Sequence, residues 1–238
     1  MLPGLGDGLR SVIGSALPMA FNYRVFAKDF TVYAFSRKNA LPEGYTTKEM
    51  AADQAQAMKQ LGIPKADVLG VSMGGMIAQH HAIDYPEKVG RLILTVTSAR
   101  PNPILKASIE EWVSCAKRGD HTAFMDSNVR RIYSEAYYRK KWLVPIMGKL
   151  TKPKTYDRFF IQAEACLKHS AYENLHRIQA PTLVVGGAKD NVLGGDASRE
   201  IAAEIPGAQL RMYDQLGHGL HEEAGDFNQT VLDFLNAF

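Results

Sequence analysis

The sequence predicts an α/β protein: a mostly parallel, doubly wound sheet interrupted by a helical insertion. Three observations carry this. Short β-branched or apolar runs alternate with helical stretches along most of the chain, the pattern of repeated β-α units. The run "RLILTVTS" (91–98) is nearly unbroken in apolar character, as a strand covered on both faces must be. From Pro101 to Leu175 the strand pattern stops and long helical stretches replace it, until "APTLVVGG" (180–187) resumes it.

Taken in order, "FTVYAF" (30–35) reads as a strand from its β-branched and aromatic residues. "TTKEMAADQAQAMKQLGIP" (46–64) reads as a helix. Thr46 and Glu49 form a capping box, alanine and methionine supply an apolar stripe, and Gly62 with Pro64 stops it. "ADVLGVS" (66–72) is a short buried strand running into glycines, and "GGMIAQHHAIDYP" (74–86) is a helix ended by Pro86. After the insertion come the strand at 180–187, the helix "ASREIAAEI" with Asp196 as its cap, the strand "AQLRMYD" (208–214) and a closing helix, "DFNQTVLDFLNAF". Residues 1–100 and 176–238 therefore form the sheet core, and 101–175 a helical cap. Insertions above the ends of sheet strands often cover a site.

Composition narrows the function. A chain of 238 residues suits one α/β domain with an insertion. The formal net charge is only +3, and the densest basic patch, "YRKKW" (138–142), reads as a solvated helix face, so no nucleic-acid partner is expected. No apolar stretch reaches the ~20 residues of a membrane helix, so no membrane partner is expected either. The two cysteines, Cys115 and Cys166, lie outside any CxxC or Cys/His cluster, which implies no zinc site and a reducing, cytoplasmic setting. Gly4-Leu5-Gly6-Asp7-Gly8 matches neither G-x-G-x-x-G nor a P-loop, which argues against nucleotide binding.

The chemistry centres on "LGVSMGGMIAQ" (69–79). Gly70-Val71-Ser72-Met73-Gly74 fits G-x-S-x-G between a strand and a helix. That spacing exposes the serine Oγ on a strained turn, lets neighbouring backbone pass the glycines, and aims a helix N-terminus at developing negative charge. A serine needs a base. Of seven histidines, His80 and His81 lie along the helix after Ser72, and His121, His169 and His176 fall in or near the insertion, where a surface position is expected. His218 sits between Gly217 and Gly219 in the loop after a strand, where open α/β sheets build sites; His221, one turn on, reads as surface or supporting. A carboxylate should orient the imidazole, and Asp190, just past the strand "TLVVGG", is the candidate.

The order Ser72, Asp190, His218, with "GVSMGG", "GGAKD", "LGHG" and the opening "LPGLGDG", resembles the α/β-hydrolase family over nearly the whole chain. "GVSMGGMIAQ" resembles the nucleophile region of enol-lactonases and of cofactor-free haloperoxidase and esterase relatives. The resemblance implies an acyl-enzyme mechanism, with oxyanion donors at the backbone N–H of Met73 and of Leu5. It implies cleavage of a small carboxylic ester, thioester or lactone with no metal or organic cofactor; separately, a monomer or homodimer is expected. The alternatives are a receptor-like binding protein and C–C hydrolase or lyase chemistry on the same triad. Relatives carry strands before the oxyanion loop; here only Met1-Leu2 precedes it, so a short sheet edge and a frayed Leu5 are expected. Arg37 could reach an anionic substrate group, and Trp112, Tyr138, Trp142 and Phe159 could line the pocket.

Overall fold

The computed structural model describes residues 1–140 and 152–237. Its centre is a sheet of four parallel strands in the order β1 (Ala66–Val71), β2 (Val89–Thr95), β3 (Thr182–Gly187) and β4 (Gln209–Tyr213). The residues of the strands alternate between two cores, as a period of two requires. Val68, Leu92, Leu94 and Val184 face one core; Leu69, Ile93, Leu183 and Val185 face the other.

Three helices cover the first face. α2 (Thr47–Gln60), which follows the short α1 (Ala16–Asn22), carries the expected capping box: Thr46 accepts from the Glu49 N–H, and Glu49 accepts from the Thr46 N–H. α3 (Met73–Asp84) is buried from Met73 to Ile83 because it lies between the sheet and α2. α8 (Asp196–Glu204) completes the face. It begins after Gly195, so Asp196 is its first residue and makes no side-chain cap, contrary to expectation. The second face is closed by α10 (Phe227–Asn236), which buries Phe227, Val231, Phe234 and Leu235, after the single turn α9 (Leu220–Glu223).

Between β2 and β3 the described residues are helical: α4 (Pro103–Lys117), α5 (His121–Ile132), α6 (Glu135–Lys140) and α7 (Asp157–Leu167). Side chains of Asn102 and Asp120 cap α4 and α5 by accepting from the N–H groups of Leu105 and Ala123. Two histidines expected at the surface here are buried. Packing turns them inward, where each finds a polar partner: His121 meets the Tyr156 hydroxyl at 2.7 Å, and His169, just past its helix, meets the Thr47 hydroxyl at 3.0 Å. His176 is exposed.

The segment 30–35 is not a strand. Its neighbour is the two-residue stretch Met1–Leu2, which pairs with β1 through one parallel bridge, Leu2 to Gly70. The Met1 ammonium donates to the Tyr33 carbonyl at 2.7 Å and Phe35 N–H donates to the Met1 carbonyl at 3.2 Å. Two residues cannot build a ladder, so β-propensity alone leaves the segment irregular. No helix among the described residues is long and apolar enough to cross a membrane.

Candidate active site

β1 delivers Ser72 to the edge of the sheet, where its backbone turns into the left-handed region at φ 55° before α3 begins. The turn needs its glycines. A Cβ on Gly70 would lie 2.5 Å from the Gly74 carbonyl oxygen, and one on Gly74 would lie 1.9 Å from the Leu2 carbonyl oxygen. Ser72 N–H donates to the Thr95 carbonyl at 2.9 Å, and the Thr97 hydroxyl donates to the Ser72 carbonyl at 2.8 Å. Between those two threonines Val96 holds φ 41°, which costs a β-branched residue of order 1–3 kcal/mol. The serine turn thus rests on a second strained turn, at the end of β2, which the sequence did not signal.

Asp190 follows β3 and is anchored by its own loop. Its Oδ1 accepts from the N–H groups of Val192 (2.8 Å) and Leu193 (2.9 Å). Its Oδ2 lies 2.8 Å from His218 Nδ1, and His218 Nε2 lies 3.0 Å from Ser72 Oγ. A carboxylate accepts only, so Nδ1 carries the proton and Nε2 is free to accept from the serine hydroxyl. Asp190 and His218 are buried and Ser72 is half-buried, which leaves the serine end of the relay open to a reactant. This is the arrangement of a serine nucleophile, its base and the group that orients the base. His221 does not enter it; it stands half-buried beside the Phe227 ring, 6.3 Å away.

The loop Pro3–Gly8 crosses above the serine. A Cβ on Gly4 would lie 3.4 Å from Ser72 Cβ and 3.9 Å from its Oγ. Met73 opens α3, so its N–H has no acceptor within the helix. Leu5 opens a 3-10 turn, Leu5–Gly8, in which Asp7 N–H donates to the Gly4 carbonyl at 3.2 Å. The expectation that this loop frays does not match its anchoring. Leu2 exchanges hydrogen bonds with Leu69 (2.8 Å) and Val71 (3.1 Å), and the Asp7 side chain is fully buried between Arg37 and Arg158.

Arg37 therefore has a different place from the one expected. Its guanidinium is buried, lies 3.7 Å from Asp7 and donates to the Pro3 carbonyl at 2.5 Å, so it braces the loop from behind rather than waiting for an anion. Burial lowers its pKa to about 10 although Asp7 opposes the shift. Trp112 and Phe159 are packed into the core, Phe159 edge-on to Phe124 at 5.1 Å, so neither stands free at a pocket wall. The Tyr138 hydroxyl is committed to Asp126 at 2.8 Å within the helical insertion. Trp142 lies outside the described residues. An apolar cavity of about 310 Å³ opens elsewhere, at the Met1–Leu2 edge against Phe26, Phe35, Met58 and Leu235, and no residue of the Ser72 relay lines it. Both cysteines are buried thiols, and burial pushes Cys166 up to about 12.

Comparison with known proteins agrees with this construction. The family model described as alpha/beta hydrolase fold matches residues 1–225. A 2-hydroxy-6-oxononadienedioate/2-hydroxy-6-oxononatrienedioate hydrolase from Pseudomonas sp is 28% identical over 209 residues, covering 79% of this chain and 71% of its own. The enol-lactonase of Burkholderia xenovorans LB400 superposes with a TM-score of 0.80 at 25% identity, covering 92% of this chain and 86% of that one. MGS-M2, an alpha/beta hydrolase enzyme from a Medee basin deep-sea metagenome library, shares the fold with a TM-score of 0.81 at 23% identity, over 98% of this chain and 87% of that one. The chain belongs to the α/β-hydrolase fold family.

Proposed function

We propose that the chain is a serine hydrolase that cleaves a small carboxylic ester, thioester or lactone through an acyl-enzyme. One observation carries the reading: the unbroken hydrogen-bond relay from Asp190 through His218 to Ser72, at 2.8 and 3.0 Å, with the serine on a left-handed turn at a helix N-terminus. Ser72 Oγ attacks the substrate carbonyl carbon as its proton passes to His218 Nε2. Asp190 holds the imidazole and stabilises the imidazolium. The oxyanion develops at the N-terminus of α3, where the N–H groups of Met73 and Leu5 donate to it. His218 returns the proton to the leaving alcohol, thiol or lactone oxygen, and water then repeats the sequence to release the acid. The mechanism uses no group from outside the chain except water and a small-molecule substrate; the insertion reaches the loop of His218, where Gly219 N–H donates to the Ile132 carbonyl at 2.7 Å, which supports reading it as a cap.

The 28% relative supports a second reading, cleavage of a C–C bond beside a carbonyl on the same three residues. The first experiment is hydrolysis of p-nitrophenyl acetate and butyrate by purified protein and by Ser72→Ala, with fluorophosphonate labelling followed by intact mass. Steady turnover and a single adduct, both lost in the variant, are the expected result. A folded protein with no turnover and no adduct would overturn the hydrolase reading in favour of a receptor-like role. An adduct without ester turnover would favour the C–C reading, to be checked with an enol-ketone dioate.

A further inference from the structure

We propose that Arg158, on helix α7 of the insertion, latches the loop carrying Leu5 through the buried carboxylate of Asp7, so that the seating of the insertion sets the geometry of the second oxyanion donor. The inference rests on the hydrolase reading for its consequence, but not for the latch itself.

The contacts run one way. Arg158 Nη2 donates to Asp7 Oδ2 at 3.0 Å and to the Arg37 carbonyl at 3.1 Å, and its Nε donates to the Lys38 carbonyl at 3.2 Å. Asp7 lies on the loop that passes Ser72, the Arg37 and Lys38 carbonyls lie on the segment braced against that loop, and none of the three acceptors is on the arginine's own helix. Asp7 also accepts from the Arg37 N–H at 3.1 Å, and Arg37 Nη2 reaches the Pro3 carbonyl at 2.5 Å. The carboxylate is thus a hub that ties Pro3, Arg37 and Arg158 around a turn beginning at Leu5. The insertion also touches this turn through backbone: a Cβ on Gly8 would lie 2.9 Å from Phe159 Cα, the residue after Arg158. The loop has one ladder contact, the bridge at Leu2, and these side chains add to the backbone bonds of its 3-10 turn and the packing of Leu5 and Leu9 on the core. Asp7 has no water to replace a lost partner, because its side chain is 0% exposed. Arg158 is 19% exposed and Arg37 still neutralises Asp7 in its absence, so removing Arg158 releases the latch and leaves the fold. Arg158 touches no reacting atom; it is a positioning residue.

The test compares the intact protein with Arg158→Gln, Arg158→Lys, Asp7→Asn and the Arg158→Gln/Asp7→Asn double variant. Hydrogen exchange of residues 3–9 reads the latch without any substrate. Exchange faster by roughly tenfold or more in Arg158→Gln, with β2 and β3 unchanged, is expected for a local opening released from one partner. For p-nitrophenyl butyrate, kcat is expected to fall roughly 10-fold with KM within about twofold, a smaller loss than removing an oxyanion donor outright. The double variant should be no slower than Asp7→Asn within about twofold, because both act through one carboxylate. Arg158→Lys, which keeps the charge and loses the fork, should fall between. Unchanged exchange at 3–9 overturns the latch. Faster exchange with unchanged kcat overturns its catalytic role, as does a kcat loss that follows only the folded fraction. A wild type without Ser72-dependent turnover overturns the hydrolase reading and the catalytic role together, while the exchange data still decide the latch.

Discussion

Ser72 and Asp190 stand at the ends of β1 and β3, strands held to β2 by parallel ladders whose registers include Gly70 with Leu94 and Thr95 with Val185. The loop Pro3–Gly8, which carries the proposed second oxyanion donor, follows a single bridge to the sheet at Leu2 and is held by an ion cluster and a close backbone pass. The two halves therefore have different weaknesses. Ladder hydrogen bonds are many, and one side-chain change seldom moves a strand end. The loop depends on a few named side chains, any one of which can be removed.

The largest expected effect sharpens this contrast from the ladder side. Asp190→Asn leaves the strands in place but offers His218 Nδ1 the wrong partner, and kcat should fall by about 10⁴ with the thermal midpoint little changed. A loss below about tenfold, measured with p-nitrophenyl butyrate, would show that Asp190 does not orient the base. Next comes the loop. Gly74→Ala puts a methyl group where the Leu2 carbonyl oxygen sits, 1.9 Å away, and pushes the Leu2–Pro3 backbone off the site. The relay survives, so kcat should fall by about 10²–10³, the cost of one oxyanion donor. Steady-state kinetics that leave kcat within twofold would mean that the loop contributes nothing.

A smaller effect falls between the halves. Thr97→Val removes the hydroxyl bonded to the Ser72 carbonyl at 2.8 Å and leaves that carbonyl with only its helical donors, the N–H groups of Gly75 and Met76. Stability should drop by about 0.5–1.5 kcal/mol, read from urea unfolding, with Thr97→Ser restoring most of it. A last prediction concerns pH. Burial, then the neighbouring His80, hold His169 down to about 3 against its ordinary 6.5. As pH falls below 6.5 the unfolded chain takes up a proton that the folded chain refuses until about 3. Stability is thus full above that window and declines through it. Urea midpoints at pH 7 and pH 5 should differ accordingly, and His169→Gln should flatten the difference.

Local chemistry made much of the ladder half legible. The capping box of α2, the strand-like runs of β1 to β3 and the G-x-S-x-G turn are set by neighbours within a few residues, so pattern reading reaches them. The chain order Ser72, Asp190, His218 pointed to three loops at the same end of a parallel sheet, and the structure brings those side chains within hydrogen-bond distance. Reading failed where a residue's fate depends on a distant partner. The segment 30–35 has strand propensity but meets only a two-residue neighbour. His121 and His169 are polar by composition and buried by their partners. Arg37 looked like a free cation because the carboxylate that claims it, Asp7, lies 30 residues earlier.

By itself, then, the sequence determined the succession of strands and described helices from Thr46 onward and the serine turn, because propensity, capping and glycine spacing act over short stretches of chain. Only the tertiary structure decided the clamp of Asp7 between Arg37 and Arg158, the strained Val96 beneath Ser72 and the inward turn of the insertion's histidines. Each of those depends on groups brought together by packing, across 151 residues in the case of Arg158 and Asp7, and no local pattern encodes which distant charge a buried carboxylate will meet.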